Sequence, residues 1–92
     1  MSEELTEKVL SCMEDLNPEA LWPTGMKEAI IGFVERCSCD PIIVLDRKKC
    51  IEILMRDGGT EEEAIEYFEF NTLGAWMGKG TPCFATLAED LL

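Results

Sequence analysis

The sequence contains no histidine, and this absence limits the chemistry open to the chain. Histidine is the usual general base beside a catalytic cysteine or serine and a common zinc ligand. No pair of carboxylates stands out among the nineteen acidic residues, and Gly78-Lys79-Gly80 lacks the spacing of a phosphate-binding loop. We therefore expect no enzymatic activity, no catalytic residue and no cofactor.

Basic side chains are scarce, since eight lysines and arginines stand against nineteen acidic residues and leave a net charge of -11. This charge repels phosphate backbones and anionic lipid headgroups. The composition predicts neither direct nucleic-acid binding nor attachment to a membrane surface.

Long apolar runs are also absent, because the longest unbroken run covers only residues 42–45. Residues 1–5 carry neither the basic nor the apolar segment of an export signal. We expect a cytoplasmic protein without a membrane span. The five cysteines, an odd number, then predict reduced thiols and no disulfide framework.

Apolar residues make up 47% of the 92 residues and occur along the whole length. This supply is enough for one core, so residues 1–92 are expected to form a single acidic domain. A chain of this size leaves some apolar surface uncovered, and formation of a homodimer is one way to cover it.

Hydrophobic spacing predicts two helices and one buried strand in the first half. The first helix covers residues 5–16 behind a Ser2 cap, and a second, capped by Thr24, covers residues 26–37 with apolar side chains at helical spacing. Residues 42–45 are apolar and rich in β-branched side chains, which is typical of a strand buried on both faces.

The second half begins with a helical hairpin. Asp46 is the expected cap of one helix, residues 57–59 form its exit, and Thr60 and Glu63 form a capping box that starts the next. Strands near Trp76 and Phe84 follow, joined by the loop at residues 78–80. Pro82 restricts the last strand to a sheet edge, or itself to the first residue of that strand. The expected fold class is α+β: three to four short helices packed on a small two- or three-stranded sheet that ends in a C-terminal hairpin.

The segment EAIEYFEFNTLGAWMGKGTPCF, residues 63–84, resembles a group of short proteins from phage and bacterial genomes to which no chemistry is assigned. The positions that match are Phe70, Asn71, Gly74, Ala75, Trp76, Thr81 and Pro82. The resemblance implies a phage or mobile-element origin and an accessory role in which the protein binds and modulates a host protein. The chain departs from the group at Cys37-Ser38-Cys39.

Residues 57–70 hold six acidic side chains and no basic one. In this block Glu62, Glu66 and Glu69 are candidates for contact with a basic protein partner, and the alternative is a solvated helix face whose first turn suits the helix dipole.

Three further candidates follow the acidic block. Asn71, Trp76 and Lys79 are candidates for a partner pocket together with Thr72, and the alternative is that Asn71 ends the helix in a left-handed conformation. Trp76 and Met77 are expected in the core, and would be natural anchors for a partner if they were exposed.

Three functions remain open on the sequence alone. The first is a small acidic protein-interaction or inhibitor-type accessory module. The second is a metal- or thiol-dependent site at Cys37 and Cys39, although Cys12, Cys37 and Cys50 are expected as core thiols and no metal site is assigned. The third is a structural homodimer.

Overall fold

The computed structural model describes residues 3–56 and 58–91. Within these residues the chain forms three α-helices and a three-stranded mixed sheet, so the α+β class is confirmed. The elements are α1 (Glu3–Leu16), β1 (Ile30–Arg36), β2 (Cys39–Asp46), α2 (Arg47–Met55), α3 (Glu61–Tyr67), a π-helical turn (Phe68–Leu73) and β3 (Cys83–Ala85). Short 3₁₀ turns cover Lys27–Ala29 and Ala88–Leu91. The predicted cap Ser2 and the loop residue Asp57 lie outside the described residues.

The sheet has the order β1-β2-β3, with β1 and β2 antiparallel and β2 and β3 parallel. The predicted strand at residues 42–45 is confirmed as part of the central strand β2. Pro41 also lies within this strand, where it falls in an irregular stretch between the pairs Val34 with Ile42 and Arg36 with Cys39. A bulge tolerates proline, which has no backbone N–H, because the residue at a bulge need not donate a hydrogen bond to the neighbouring strand.

The predicted helix at residues 26–37 is wrong, because most of this segment is strand β1. Thr24 and Gly25 form a turn, and Gly25 has a φ of +84°. The register of β1 shifts between Ile30 and Gly32, and this bulge interrupts the alternation by which a strand is recognised. A tight turn at Cys37-Ser38 then favours pairing with β2 over a helix.

The predicted C-terminal hairpin does not form among the described residues. Trp76 lies in an irregular segment, and β3 pairs in parallel with β2 instead of with a neighbouring arm. The loop is closed by Thr81, whose hydroxyl accepts from the Met77 amide and donates to the Gly78 carbonyl, both at 2.7 Å. Because β3 is an edge strand, the restriction predicted from Pro82 is confirmed.

The core lies on one face of the sheet, beneath the helices. Leu45 of β2 pairs with Ile30 on one side and Phe84 on the other, and Leu45 and Ile30 are fully buried. Phe68 is 0% exposed and packs edge-to-face on Phe84, with the ring centroids 5.0 Å apart. The start of the π-helical turn is thereby attached to the sheet.

Both predicted caps of the helical hairpin are confirmed. The Lys48 amide donates to the Asp46 carboxylate at 3.1 Å, and the Glu63 amide donates to the Thr60 hydroxyl at 3.2 Å. The Glu63 carboxylate accepts from the Thr60 amide in return. These bonds satisfy amides at both helix starts and set where α3 begins.

Gly80 provides a test of the loop packing. A Cβ at this position would overlap the carbonyl oxygen of Glu19, whereas a Cβ at Gly59 would lie 3.9 Å from the nearest side-chain atom, Glu63 Cβ. We expect Gly80→Ala to lower the free energy of unfolding by about 1–3 kcal/mol, because backbone must move to admit the methyl group. Urea unfolding checks this against Gly59→Ala, for which we expect no loss. Equal stability of the two variants would contradict the described packing.

Candidate protein-interaction surface

Large apolar side chains lie exposed at the end of α3, along the π-helical turn and in the loop that follows. Phe70 and Trp76 are 77% and 76% exposed. We call these residues and their exposed apolar neighbours the aromatic surface: Tyr67, Phe70, Leu73, Trp76 and Met77. The expected core positions of Trp76 and Met77 are therefore wrong, and Tyr67 at the end of α3 is also 53% exposed.

A π-helical turn runs through this surface. Phe68 anchors one side of the helix in the core, and the Gly74 amide donates to the Glu69 carbonyl at 3.1 Å, a bond five residues long. Phe70 follows Phe68 by two residues, about 200° around a helix axis, and so faces away from the core. Such π turns are frequent at functional sites.

Asn71 lies inside the π-helical turn, so the predicted left-handed helix end is wrong. Among the described residues, Ser38 is the only non-glycine residue with a positive φ. The Asn71 side-chain amide donates to the Tyr67 carbonyl at 3.3 Å. This bond is the predicted contact with local backbone, and it leaves the side-chain oxygen of Asn71 as an acceptor toward solvent.

The three acidic candidates, Glu62, Glu66 and Glu69, differ in their surroundings. Glu66 lines a shallow groove of about 450 Å³ on the outer side of α3; its lining residues are Glu63, Glu66, Tyr67, Phe70 and Asn71, and we call it the acidic groove. Glu69 instead pairs with Arg47 at 3.5 Å. Glu62 is exposed on α3 but does not line the groove.

Trp76 and Lys79 line a different cleft, of about 420 Å³, together with Ile42 of β2 and Leu73. The structure therefore does not bring the predicted pocket residues together: Asn71 lines the acidic groove, Trp76 and Lys79 line this cleft, and Thr72 lines neither.

Three residues of this surface were missed on the sequence: Tyr67, Phe70 and Leu73. The sequence does contain a pattern that could have identified them, because these apolar residues recur every three positions beside the core residues Ala64 and Phe68. The helix therefore carries a second apolar stripe that one core face does not require.

The cysteines do not converge. Cys37 and Cys39 are exposed at the β1–β2 turn, Cys12 is exposed on α1, and Cys50 is buried beneath α2. The expectation of core thiols is wrong for Cys12 and Cys37 and confirmed for Cys50. In the part of the chain that the structure describes, no three or more Cys, Asp or Glu side chains are grouped as metal ligands.

A further cleft of about 450 Å³ lies between α2, α3 and the C-terminal 3₁₀ turn. The Lys48 ammonium there pairs with the carboxylate of Asp90 at 3.6 Å, and Arg47 pairs with Glu69 of the π-helical turn. These pairs link α2 to the two segments that follow it.

No family model, curated protein or solved structure matches this chain. Among residues 3–56 and 58–91, no helix combines the length and apolar content that a bilayer crossing requires.

The exposure of the aromatic surface predicts a contrast in stability. Phe70→Ala and Trp76→Ala should each change the free energy of unfolding by no more than about 0.5 kcal/mol, because neither ring fills the core. Phe68→Ala, two positions from Phe70, should cost about 3–5 kcal/mol through loss of buried contacts. Urea unfolding monitored by circular dichroism checks this. A large loss for Trp76→Ala would show that its ring is packed.

The thiols predict a reactivity order. Burial, assisted by the nearby Asp46 charge, raises the pKa of the Cys50 thiol to about 12, and burial also raises the pKa of Cys83. Since the thiolate is the reactive form, iodoacetamide at about pH 8 should modify Cys12, Cys37 and Cys39 first and Cys50 only after unfolding. Peptide mass spectrometry over time measures the order. Early modification of Cys50 would contradict its burial.

Proposed function

We propose that this chain is a small acidic protein-binding module that attaches to its partner through the aromatic surface. The observation that supports this most directly is the exposure of Phe70 and Trp76, more than three-quarters each, on adjacent segments. A monomeric protein gains nothing from two such rings in water, and exposed apolar patches mark sites of interaction. Aromatic residues are also the most frequent anchors of protein interfaces.

Covering the exposed rings of Phe70 and Trp76 would contribute much of the free energy that specific binding requires. Covering about 150 Å² of each ring, at about 25 cal/mol per Å², would contribute on the order of 4 kcal/mol per ring before the costs of association. Two such anchors would contribute about 8 kcal/mol before those costs, so a micromolar complex also needs contacts from the polar rim around them. Glu66, Asn71 and Lys79 supply that rim.

The charge of the chain points to the class of partner. Glu63 and Glu66 border the aromatic surface, and the chain as a whole carries -11. A basic face on the partner would be attracted at long range and oriented as it arrives. An inhibitor-type accessory role of phage or mobile-element origin, in the cytoplasm, is part of this proposal and is supported by the resemblance of residues 63–84.

The proposal assigns no catalytic residue. The chain has no histidine, and the buried thiol of Cys50 is held in its protonated form. Cys37 and Cys39 remain the residues of the thiol alternative, for which stoichiometric zinc or iron in protein purified without chelator would be the supporting result.

Affinity capture with the double variant Phe70→Ala/Trp76→Ala tests the proposal. Tagged wild-type protein and the variant are incubated with extract of the source cells, and bound proteins are quantified by mass spectrometry. We expect recovery of a specific partner to fall at least about 30-fold, corresponding to loss of about 2 kcal/mol or more. The matched control is Leu91→Ala, since Leu91 is also apolar and 75% exposed but lies in the C-terminal 3₁₀ turn.

Two results would contradict the proposal. One is a partner retained equally by the double variant. The other is a homodimer in sedimentation experiments that the double variant dissociates, because the aromatic surface would then be the contact between two copies of this chain.

A further inference from the structure

We propose that the acidic groove binds an arginine side chain of the partner. This inference deepens the proposed function. It depends on that function only for the statement that the arginine belongs to a protein partner. The groove is lined by Glu63, Glu66, Tyr67, Phe70 and Asn71, with no lysine or arginine among them. Its chemistry is therefore two carboxylates, two aromatic rings and one amide.

The hydrogen-bonding groups of the groove are mostly acceptors. Glu63 is held in place by the capping box, because its Oε1 accepts from the Thr60 hydroxyl at 3.1 Å. Asn71 uses its amide nitrogen on the Tyr67 carbonyl, which leaves its oxygen available. Glu66 has no ion pair within residues 3–56 and 58–91. A ligand that donates several hydrogen bonds and carries positive charge fits this arrangement.

Arginine fits the rings as well as the acceptors. Its guanidinium is planar, presents five N–H donors, stacks on aromatic faces and is more weakly hydrated than an ammonium. A lysine ammonium or a hydrated divalent cation would match the carboxylates but would gain less from Tyr67 and Phe70.

The same helix already binds an arginine in this way on its inner side. The Arg47 guanidinium lies 5.3 Å from the centroid of the Phe68 ring, and its Nη2 lies 3.5 Å from Glu69 Oε1. A ring and a carboxylate also lie together on the outer side, where Phe70 and Glu66 line the same groove. On the outer side no arginine of the described chain occupies it.

Titration of ¹⁵N-labelled protein with N-acetyl-argininamide tests the inference. We expect saturable shifts confined to the amides of residues 63–71, with a Kd in the range of about 1–10 mM, as for a fragment of this size. N-acetyl-citrullinamide has the same shape without the charge and should bind at least about 10-fold more weakly. N-acetyl-lysinamide should also bind more weakly, by about 3-fold or more.

Variants of the full chain locate the site. Glu66→Gln should raise the Kd for argininamide about 3- to 10-fold, and Phe70→Ala should do the same through the ring. Glu35→Gln is the control for net charge, since Glu35 is exposed on β1 and does not line the groove. The Kd of this variant for argininamide should equal the wild-type value. Backbone amide spectra of each variant show whether the fold is retained.

Several results would overturn the inference. These are equal binding of citrullinamide or lysinamide, shifts spread over α1 as strongly as over residues 63–71, or no saturation by about 100 mM. Failure here is distinguishable from failure of the proposed function. A partner captured through Phe70 and Trp76 while argininamide does not bind would leave the module without an arginine site.

Discussion

The burial of Phe68 is the contact on which the rest of this surface depends. Its ring meets Phe84 of β3 edge-to-face and lies beneath the guanidinium of Arg47 from α2. One side chain thus joins the helical hairpin to the edge of the sheet. Because Phe68 can point only into the core, the rotation of the helix about its axis is set, and Tyr67 and Phe70 must face solvent.

The π-helical turn extends this effect along the chain. An α-helix continued beyond Phe68 would return residues 71 and 72 to the buried side, whereas the bond from Gly74 to Glu69 widens the turn. Gly74 permits this closure, since a Cβ there would lie 3.1 Å from the Glu69 carbonyl oxygen. The same bond ends the helix, and the loop carrying Trp76 begins beside it.

A small chain with a strong net charge tolerates such exposure. A chain of 92 residues cannot bury all of its apolar side chains, and a charge of -11 opposes association of like copies. The acidic side chains next to the rings add discrimination, because they repel acidic surfaces and attract basic ones. In the proposed function, the same carboxylates oppose association of like copies and favour a basic partner.

Local chemistry in the sequence determined α1, strand β2 and the caps at Asp46 and Thr60, because each depends on residues only a few positions apart. The sequence also determined that the chain is acidic and that Pro82 lies beside an edge strand.

Tertiary structure decided the pairing of strand β1 and the exposure of Trp76. Residues 30–36 became a strand because β2 offered a partner across a tight turn, and a bulge had hidden the alternation. Trp76 is exposed because β3 pairs with β2, so no hairpin arm covers it. Pairing and exposure depend on residues distant in sequence, and apolar periodicity alone does not specify which stripe meets the core.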